Sequence, residues 1–218
     1  MVVMTLKAVV FAVARPRAVA GFWSSFVDWP ITVDRPGRVE LTSAAAGFSL
    51  AFEQTATPKT VKNRIHLDLA SSSAAAQKSI VDKALALGAT RADIGQGELP
   101  WEVLADPGGN EFCVLEPRPE YAETGVLAAV VLDSGPVEPA AFEQLAEFWS
   151  TTSGWPIVKR HPVQIGLRAP SGVGPWLEVL RDGDAKQVED RVRLEVTGPA
   201  PGLRQDPGGN DFRVVSPG

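Results

Sequence analysis

The chain has 218 residues, 44% of them apolar and 22% charged, with a formal net charge of -5 from 21 Lys+Arg against 26 Asp+Glu. That length buries a core without covalent staples, and the lack of a basic run argues against nucleic acid or an anionic membrane surface as partner. A single cysteine, Cys113, excludes an intrachain disulfide and a cysteine-cluster zinc site and suits a cytoplasmic location.

In chain order, Thr5 to Ala14 is a valine-rich run suited to a buried strand. Lys7, the run Ala8 to Ala14 and the Ala18-Val19-Ala20 triplet imitate a signal peptide. The run is only seven residues long, however, and Arg15, Pro16 and Arg17 interrupt it, so the strand reading stands. No stretch approaches the ~20 apolar residues of a membrane span. Pro16 opens a helix whose Val19, Phe22, Trp23 and Phe26 share one face. Strands are expected near 30–34, 38–43 and 47–54, giving a β-α-β-β-β order. After Pro58 the order repeats. A strand near 63–70 leads to a helix capped at Ser72 or Ser73, with Ala76, Ile80, Ala84 and Leu87 on one face and Gly88 at its end. Strands near 90–94, 100–105 and 111–116 follow. A third unit runs from a strand at 126–133 through a helix after Pro139, with Phe142, Leu145, Ala146 and Trp149 inward, to strands near 155–159, 163–168 and 175–181. The last segment keeps strands at 191–196 and 211–215 and lacks the helix.

This order is a tandem duplication. FWSSFVDWPI at 22–31 matches FWSTTSGWPI at 148–157, KNRIHLDL at 62–69 matches EDRVRLEV at 189–196, and DPGGNEF at 106–112 matches DPGGNDF at 206–212. Between the last two motifs lie residues 70–105 in the first copy and only 197–205 in the second, so the second copy has lost an element. The expected organisation is one domain over 1–118, a linker over 119–124 and a second, trimmed domain over 125–218, the chain being a monomer or homodimer.

The repeated Asp-Pro-Gly-Gly-Asn has the chemistry of a tight turn, with proline fixing φ and glycine or asparagine tolerating positive φ. As a phosphate cradle it is poor, because it leads into a strand and no Lys-Ser/Thr follows. In NRIHLDL, alternation puts Arg64, His66 and Asp68 on one face and Ile65, Leu67 and Leu69 on the other. His66 has the chemistry of a metal ligand or general base, or of a polar side chain on a half-solvated strand. His161 stands before Pro162, at a turn or strand end. Phe22-Trp23 and Phe148-Trp149 are expected in the core. Trp29, Trp155, Trp101 and Trp176 sit where they can line a cavity.

The order FW…GWPI, PKTVKNRIHLDL, LGA and DPGGNEFCVLEP resembles the glyoxalase-like group of the vicinal oxygen chelate superfamily, which includes glyoxalase I, bleomycin-resistance proteins and extradiol dioxygenases. The resemblance covers nearly all of 5–117 and, with gaps, 125–218. It implies an α+β fold in which tandem β-α-β-β-β units pair into two curved mixed sheets, helices on the convex side, with the fourth unit degenerate here. In metal-using members the ligands come from the first and last strands of each unit. Aligning the repeats puts Val10, Ala51, His66 and Cys113 at those positions in copy one and Val131, Glu178, Arg193 and Arg213 in copy two. With units paired inside each copy, each cleft keeps one ligand, His66 or Glu178, with Cys113 as an extra. Valine and alanine carry no lone pair and arginine is always cationic, so the metal is expected to be lost and no cofactor retained.

The favoured function is therefore a metal-free cleft binding a small, partly aromatic or anionic molecule, as sequestering members of the superfamily do. The expected ligand-binding residues are His66, Cys113, Trp101, Glu178, Arg193 and Arg213. Arg193 and Arg213 would form a cationic floor with Glu178 as the nearest counter-charge, and catalytic residues are not assigned. One alternative is a metal-dependent glyoxalase-like lyase, isomerase or dioxygenase, with His66 and Cys113 plus an unplaced carboxylate holding zinc, iron, nickel or manganese. The other is a structural or regulatory module whose clefts are filled by side chains.

Overall fold

The computed structural model describes residues 4–95, 97–182 and 185–217. The first unit is β1 (Thr5–Val13), α1 (Pro16–Val27), β2 (Ile31–Arg35), β3 (Arg38–Thr42) and β4 (Ser49–Gln54). The second is β5 (Ile65–Leu69), α2 (Ala74–Ala86), β6 (Thr90–Arg91), β7 (Glu102–Ala105) and β8 (Glu111–Val114). The third is β9 (Leu127–Asp133), α3 (Pro139–Ser153), β10 (Ile157–His161), β11 (Gln164–Leu167) and β12 (Trp176–Leu180). The fourth is β13 (Val192–Thr197), β14 (Gly202–Gln205) and β15 (Asp211–Val215), with no helix between β13 and β14.

The element missing from the fourth unit is the one that buries least. α2 buries only Val81 and Ala84, whereas α1 buries Val19, Ala20, Phe22, Trp23, Phe26 and Val27. The apolar face expected of α2 is correspondingly displaced, since Leu87 is exposed and Val81 takes its place. Ser73 caps this helix by accepting from the Ala76 N–H at 3.1 Å. The β14 strand, which apolar periodicity does not reveal because all four of its residues are exposed, returns the chain antiparallel to β15.

Two mixed sheets result, but their composition corrects the expected pairing within copies. One has seven strands in the order β14-β15-β13-β1-β4-β3-β2, and the other eight in the order β10-β11-β12-β9-β5-β8-β7-β6. Units one and four thus share a sheet, joined where β1 runs antiparallel to β13. Units two and three share the other, joined where β5 runs antiparallel to β9. Neither sheet is built from 5–117 or 125–218 alone.

Contacts within a copy run through the helices instead. The rings of Phe22, Trp23 and Phe26 on α1 lie 6.2, 5.1 and 5.6 Å from Phe112 of the second unit, and Trp23 lies 6.4 Å from Phe11 of the first. α3 repeats the device, with Phe148 and Trp149 at 5.5 and 5.4 Å from Phe212. Each of these helices is therefore packed between the two sheets. A helix can bury its face against its copy-mate's sheet only if the two units belong to different sheets. The first strand of each unit is then left with a free edge, which the other copy's first strand fills. One hydrophobic core spans both sheets and draws on all three helices. Trp29 and Trp155, expected to have access to a cavity, belong to it and flank Phe48.

The turn motif and the aromatic helix motif prove to be one structural device. Asp106 accepts hydrogen bonds from Gly108 N–H at 2.8 Å and Asn110 N–H at 2.9 Å, closing the turn, and from the Trp23 indole N–H at 2.9 Å. Asp206 accepts in the same way from Gly208, Asn210 and the indole of Trp149.

Candidate functional site

Period-2 alternation sends Ile65, Leu67 and Leu69 of β5 into the core and turns His66 and Asp68 to the opposite face. Because β5 pairs with β9 and β9 with β12, His66 stands opposite Val131, and Val131 stands opposite Glu178. Parallel pairing of β5 with β8 places Asp68 opposite Cys113. The eight repeat-aligned positions thus fall four to a sheet. His66, Cys113, Val131 and Glu178 lie on the outer face of the eight-stranded sheet, and Val10, Ala51, Arg193 and Arg213 on that of the seven-stranded one. The count of one ligand per cleft rested on pairing within copies. Pairing between copies brings three lone-pair donors to a single face.

That face is roofed and flanked by aromatic rings. Cys113, Val103, Leu115, Ala128 and Tyr121 form a buried cluster against which Trp101 and Trp176 pack. Tyr121 arrives on a single 3-10 turn, Pro119–Tyr121, in the segment between the second and third units. Its hydroxyl donates to the Glu178 carboxylate, lying 3.0 and 3.1 Å from the two oxygens, and Gln164 Nε2 donates to Glu178 Oε2 at 2.7 Å. Burial raises the Glu178 pKa even though these donors favour its anion, and it raises the Tyr121 hydroxyl further above its ordinary value. The Trp176 ring lies over Gly166, where a Cβ would stand 2.7 Å from it, so β11 needs glycine there. Arg168 sits 5.0 Å above the Trp176 ring and Arg118 5.6 Å above Trp101. Arg118 is paired with Glu116 at 2.7 Å, whereas among the described residues Arg168 forms no ion pair, its guanidinium donating to the Gly172 carbonyl with the Glu123 carboxylate acting on it at longer range.

Burial also dominates the titration of the floor. It lowers the pKa of His66, against the opposing charge of Asp68, and lifts that of Asp68 to about 6. It raises the Cys113 thiol strongly, with the neighbouring Asp68 charge adding to the effect. About a tenth of the His66 and Asp68 side chains remains accessible to solvent (11% each), so the floor is reachable.

The seven-stranded sheet carries no such floor. Arg193 and Arg213 do lie on its outer face, but the counter-charge is Glu53, not Glu178, which belongs to the other sheet. Glu53 pairs with Arg193, with Arg213 at 3.1 Å and with Arg38 at 2.5 Å. Arg38 also meets Glu40 at 2.5 Å and Glu195 at 3.0 Å. Three guanidinium groups face three carboxylates, which removes the surplus positive charge on which an anion site there depended. Burial raises the pKa of Glu53, but the charges of Arg193 and Arg213 and the hydrogen bond from Arg38 outweigh it and hold Glu53 below the ordinary 4.5. A depressed folded-state pKa contributes stability that is present above the unfolded value and lost as pH falls through the folded one. Urea unfolding between about pH 6 and pH 3 should therefore show stability falling below ~4.5, with a shallower fall in Glu53→Gln. Equal slopes would show that the network does not hold this charge.

Of the residues expected from sequence, the structure brings together His66, Cys113, Trp101 and Glu178 and separates Arg193 and Arg213 from them. Asp68, Tyr121, Gln164 and Arg168 were not expected in the site. Alternation already put Asp68 on the His66 face, but Tyr121 lies in a linker without periodicity, and Gln164 and Arg168 join only through the β11–β12 register. His161 ends β10 and is exposed, away from the site. A separate cavity of about 220 Å³ lies between the segments 57–64 and 185–191, lined by the repeat-equivalent Arg64 and Arg191.

Comparison with known proteins agrees with this architecture. A family model described as a glyoxalase-like domain matches residues 8–115. Glyoxalase I from Zea mays superposes with a TM-score of 0.65 at 12% identity, covering 98% of this chain and 92% of that one. A putative dioxygenase from Bacillus subtilis subsp. subtilis str. 168 superposes with a TM-score of 0.61 at 12% identity, covering 98% and 85%. At that identity the likeness is one of fold. No curated protein sequence matches the chain. No described helix is long and apolar enough to cross a membrane. With the sequence motifs, the two mixed sheets of β-α-β-β-β units and the family match in agreement, residues 8–115 form a glyoxalase-like domain, and the whole chain has the fold of the glyoxalase I and dioxygenase structures on which it superposes.

Proposed function

We propose that this protein binds a small, partly aromatic anion over the outer face of the eight-stranded sheet, with no ion held by the four strand positions that metal-using relatives employ. The observation that carries this reading is the convergence, from two units, of His66, Cys113 and Glu178 with Trp101 and Trp176 on one face. The four-position set does not fit a metal. Val131 offers no lone pair, and both oxygens of Glu178 are engaged by Tyr121 and Gln164. What the face offers is aromatic surface, a cation outside any ion pair at Arg168 and a buried polar floor, a combination suited to a flat ring bearing a carboxylate.

The reading as a filled structural module has Tyr121 in its favour, because that side chain already occupies space above Glu178. The two readings separate by calorimetric titration of the intact chain with a set of small aromatic carboxylates. Saturable binding is expected, weakened about tenfold, or roughly 1.4 kcal/mol, by Trp176→Ala and by Arg168→Ala. Absence of binding would favour the filled module, and binding that neither substitution weakens would place the ligand elsewhere.

A further inference from the structure

The loops that lead into β5 and β13 are repeat equivalents, and between them lies the cavity of about 220 Å³. About 10–15 Å³ of such space holds one water, so there is room for a small organic molecule. None of His66, Cys113, Glu178, Trp101 and Trp176 lines it. Both walls are clamped in the same way. In the first loop Lys59 pairs with Glu111, and the Asn63 amide donates to that carboxylate at 3.2 Å. In the second, Lys186 pairs with Asp211 at 2.6 Å, and the Asp190 amide donates to it at 2.9 Å. Glu111 and Asp211 directly follow the two Asp-Pro-Gly-Gly-Asn turns, so each loop is held to the turn of its own copy.

The repeat puts one arginine on each wall, and each reaches into the other copy. Arg64 Nη2 donates to the Asp133 and Gly208 carbonyls at 3.1 and 2.9 Å, and Arg191 Nη1 donates to the Thr57 carbonyl at 2.6 Å. Neutral carbonyls orient the two guanidinium groups without cancelling their charge, and Nη1 of Arg64 and Nη2 of Arg191 have no partner among the described residues. Lys62 already pairs with Asp133 at 2.9 Å, on which Arg64 acts only at longer range, and Lys186 pairs with Asp190 at 3.1 Å. The remaining lining carboxylate, Glu189, is exposed. Burial lowers the Arg191 pKa, and the charge of Asp106, which forms no ion pair with it, offsets this only in part. Arg64 Nε and Arg191 Nε are buried without a hydrogen-bond partner. Like charges brought to one cavity with unmet donors cost free energy unless a group from outside the chain answers them.

We propose that this cavity is a second binding site, taking a short aliphatic dicarboxylate whose two acidic groups meet Arg64 and Arg191. It goes beyond the reading of the aromatic-roofed face and does not depend on it. One cation on each wall suits two acidic groups on one molecule. Pro58, Val61 and Val188 add an apolar lining that suits a methylene chain and gives nothing to inorganic phosphate.

The test is calorimetric titration of the intact chain with dicarboxylates from malonate to adipate, at an ionic strength held constant with sodium chloride. One equivalent is expected to bind, with affinity peaking at one chain length. Arg64→Gln and Arg191→Gln should each weaken the tightest member about tenfold or more, the scale of one charge-assisted hydrogen bond, while Arg168→Ala leaves it unchanged. Butyrate and inorganic phosphate should bind at least about tenfold more weakly. No saturable binding, affinity that ignores chain length, butyrate or phosphate bound as tightly, or an Arg168→Ala defect as large as that of the other two variants would each overturn the proposal. Circular dichroism separates lost binding from lost fold, and if one arginine variant fails to fold, the other and the butyrate comparison decide. Aromatic carboxylates binding to a chain that takes up no aliphatic dicarboxylate would sink this inference alone. Dicarboxylate uptake without any binding of aromatic carboxylates would sink only the reading of the aromatic-roofed face.

Discussion

Asp106→Ala should lower the unfolding free energy by about 3–5 kcal/mol, a large share of the ~5–15 kcal/mol typical of a folded chain. The carboxylate is 3% exposed and accepts from the turn amides of Gly108 and Asn110, from the Asn110 side chain and from the Trp23 indole. Removing it strands several buried donors at once, and each unsatisfied donor costs about 1–3 kcal/mol. Because Trp23 is on α1 and Asp106 precedes β8, the loss also releases a polar contact that, with the rings around Phe112, joins the first and second units. Asp206→Ala should behave alike through Trp149, whereas Trp23→Phe, which removes one donor and keeps most of the ring, should cost less. Thermal melts of the three variants check the order. A loss below about 1 kcal/mol in Asp106→Ala would mean that the motif is only a turn.

Arg38→Met should be comparably damaging, by about 3–5 kcal/mol, for an electrostatic reason. The Arg38 guanidinium joins Glu40, Glu53 and Glu195 across the seven-stranded sheet, and the Glu195 side chain is only 2% exposed. Without Arg38, the nearest cation to Glu195 is Lys7 at 3.9 Å, so a buried carboxylate is left poorly compensated. The double variant Arg38→Met with Glu195→Leu removes both charges together and should recover most of the loss, since buried ion pairs exchange for apolar side chains at little net cost. Urea unfolding of single and double variants measures the coupling. Additive losses would show that Arg38 and Glu195 do not act as a pair. The network makes this face a structural counterpart of the other, with its ions neutralising one another.

The elements and the duplication were legible because they are written in local patterns. The alternation in Ile65–Leu69, the Phe-Trp helix faces and the Asp-Pro-Gly-Gly-Asn turns need no knowledge of distant contacts. Which units share a sheet was not legible, since β1 presents the same apolar strand edge whether its partner is β5 or β13. The choice depends on α1 packing between the sheets, a contact between residues far apart in sequence. That one ambiguity misplaced the site: His66 and Cys113 were assigned to one cleft and Glu178 to the other. Glu53 was overlooked as the counter-ion although it follows Ala51 by two residues and so shares its face. Tyr121 was beyond sequence reasoning, because a linker side chain acquires its role only when the chain crosses over the face it covers.

The six tryptophans allow the central claim to be tested in one measurement, the shifts of their indole N–H signals in a two-dimensional nitrogen–proton NMR spectrum on addition of a small aromatic carboxylate. Trp23 and Trp149 are locked to Asp106 and Asp206, and Trp29 and Trp155 belong to the core, so these four signals serve as internal controls. Binding over the eight-stranded sheet predicts that the signals of Trp101 and Trp176 move together and saturate while the other four stay in place. Shifts confined to the four controls, or no shift in any of the six, would contradict the claim that this face is the functional site.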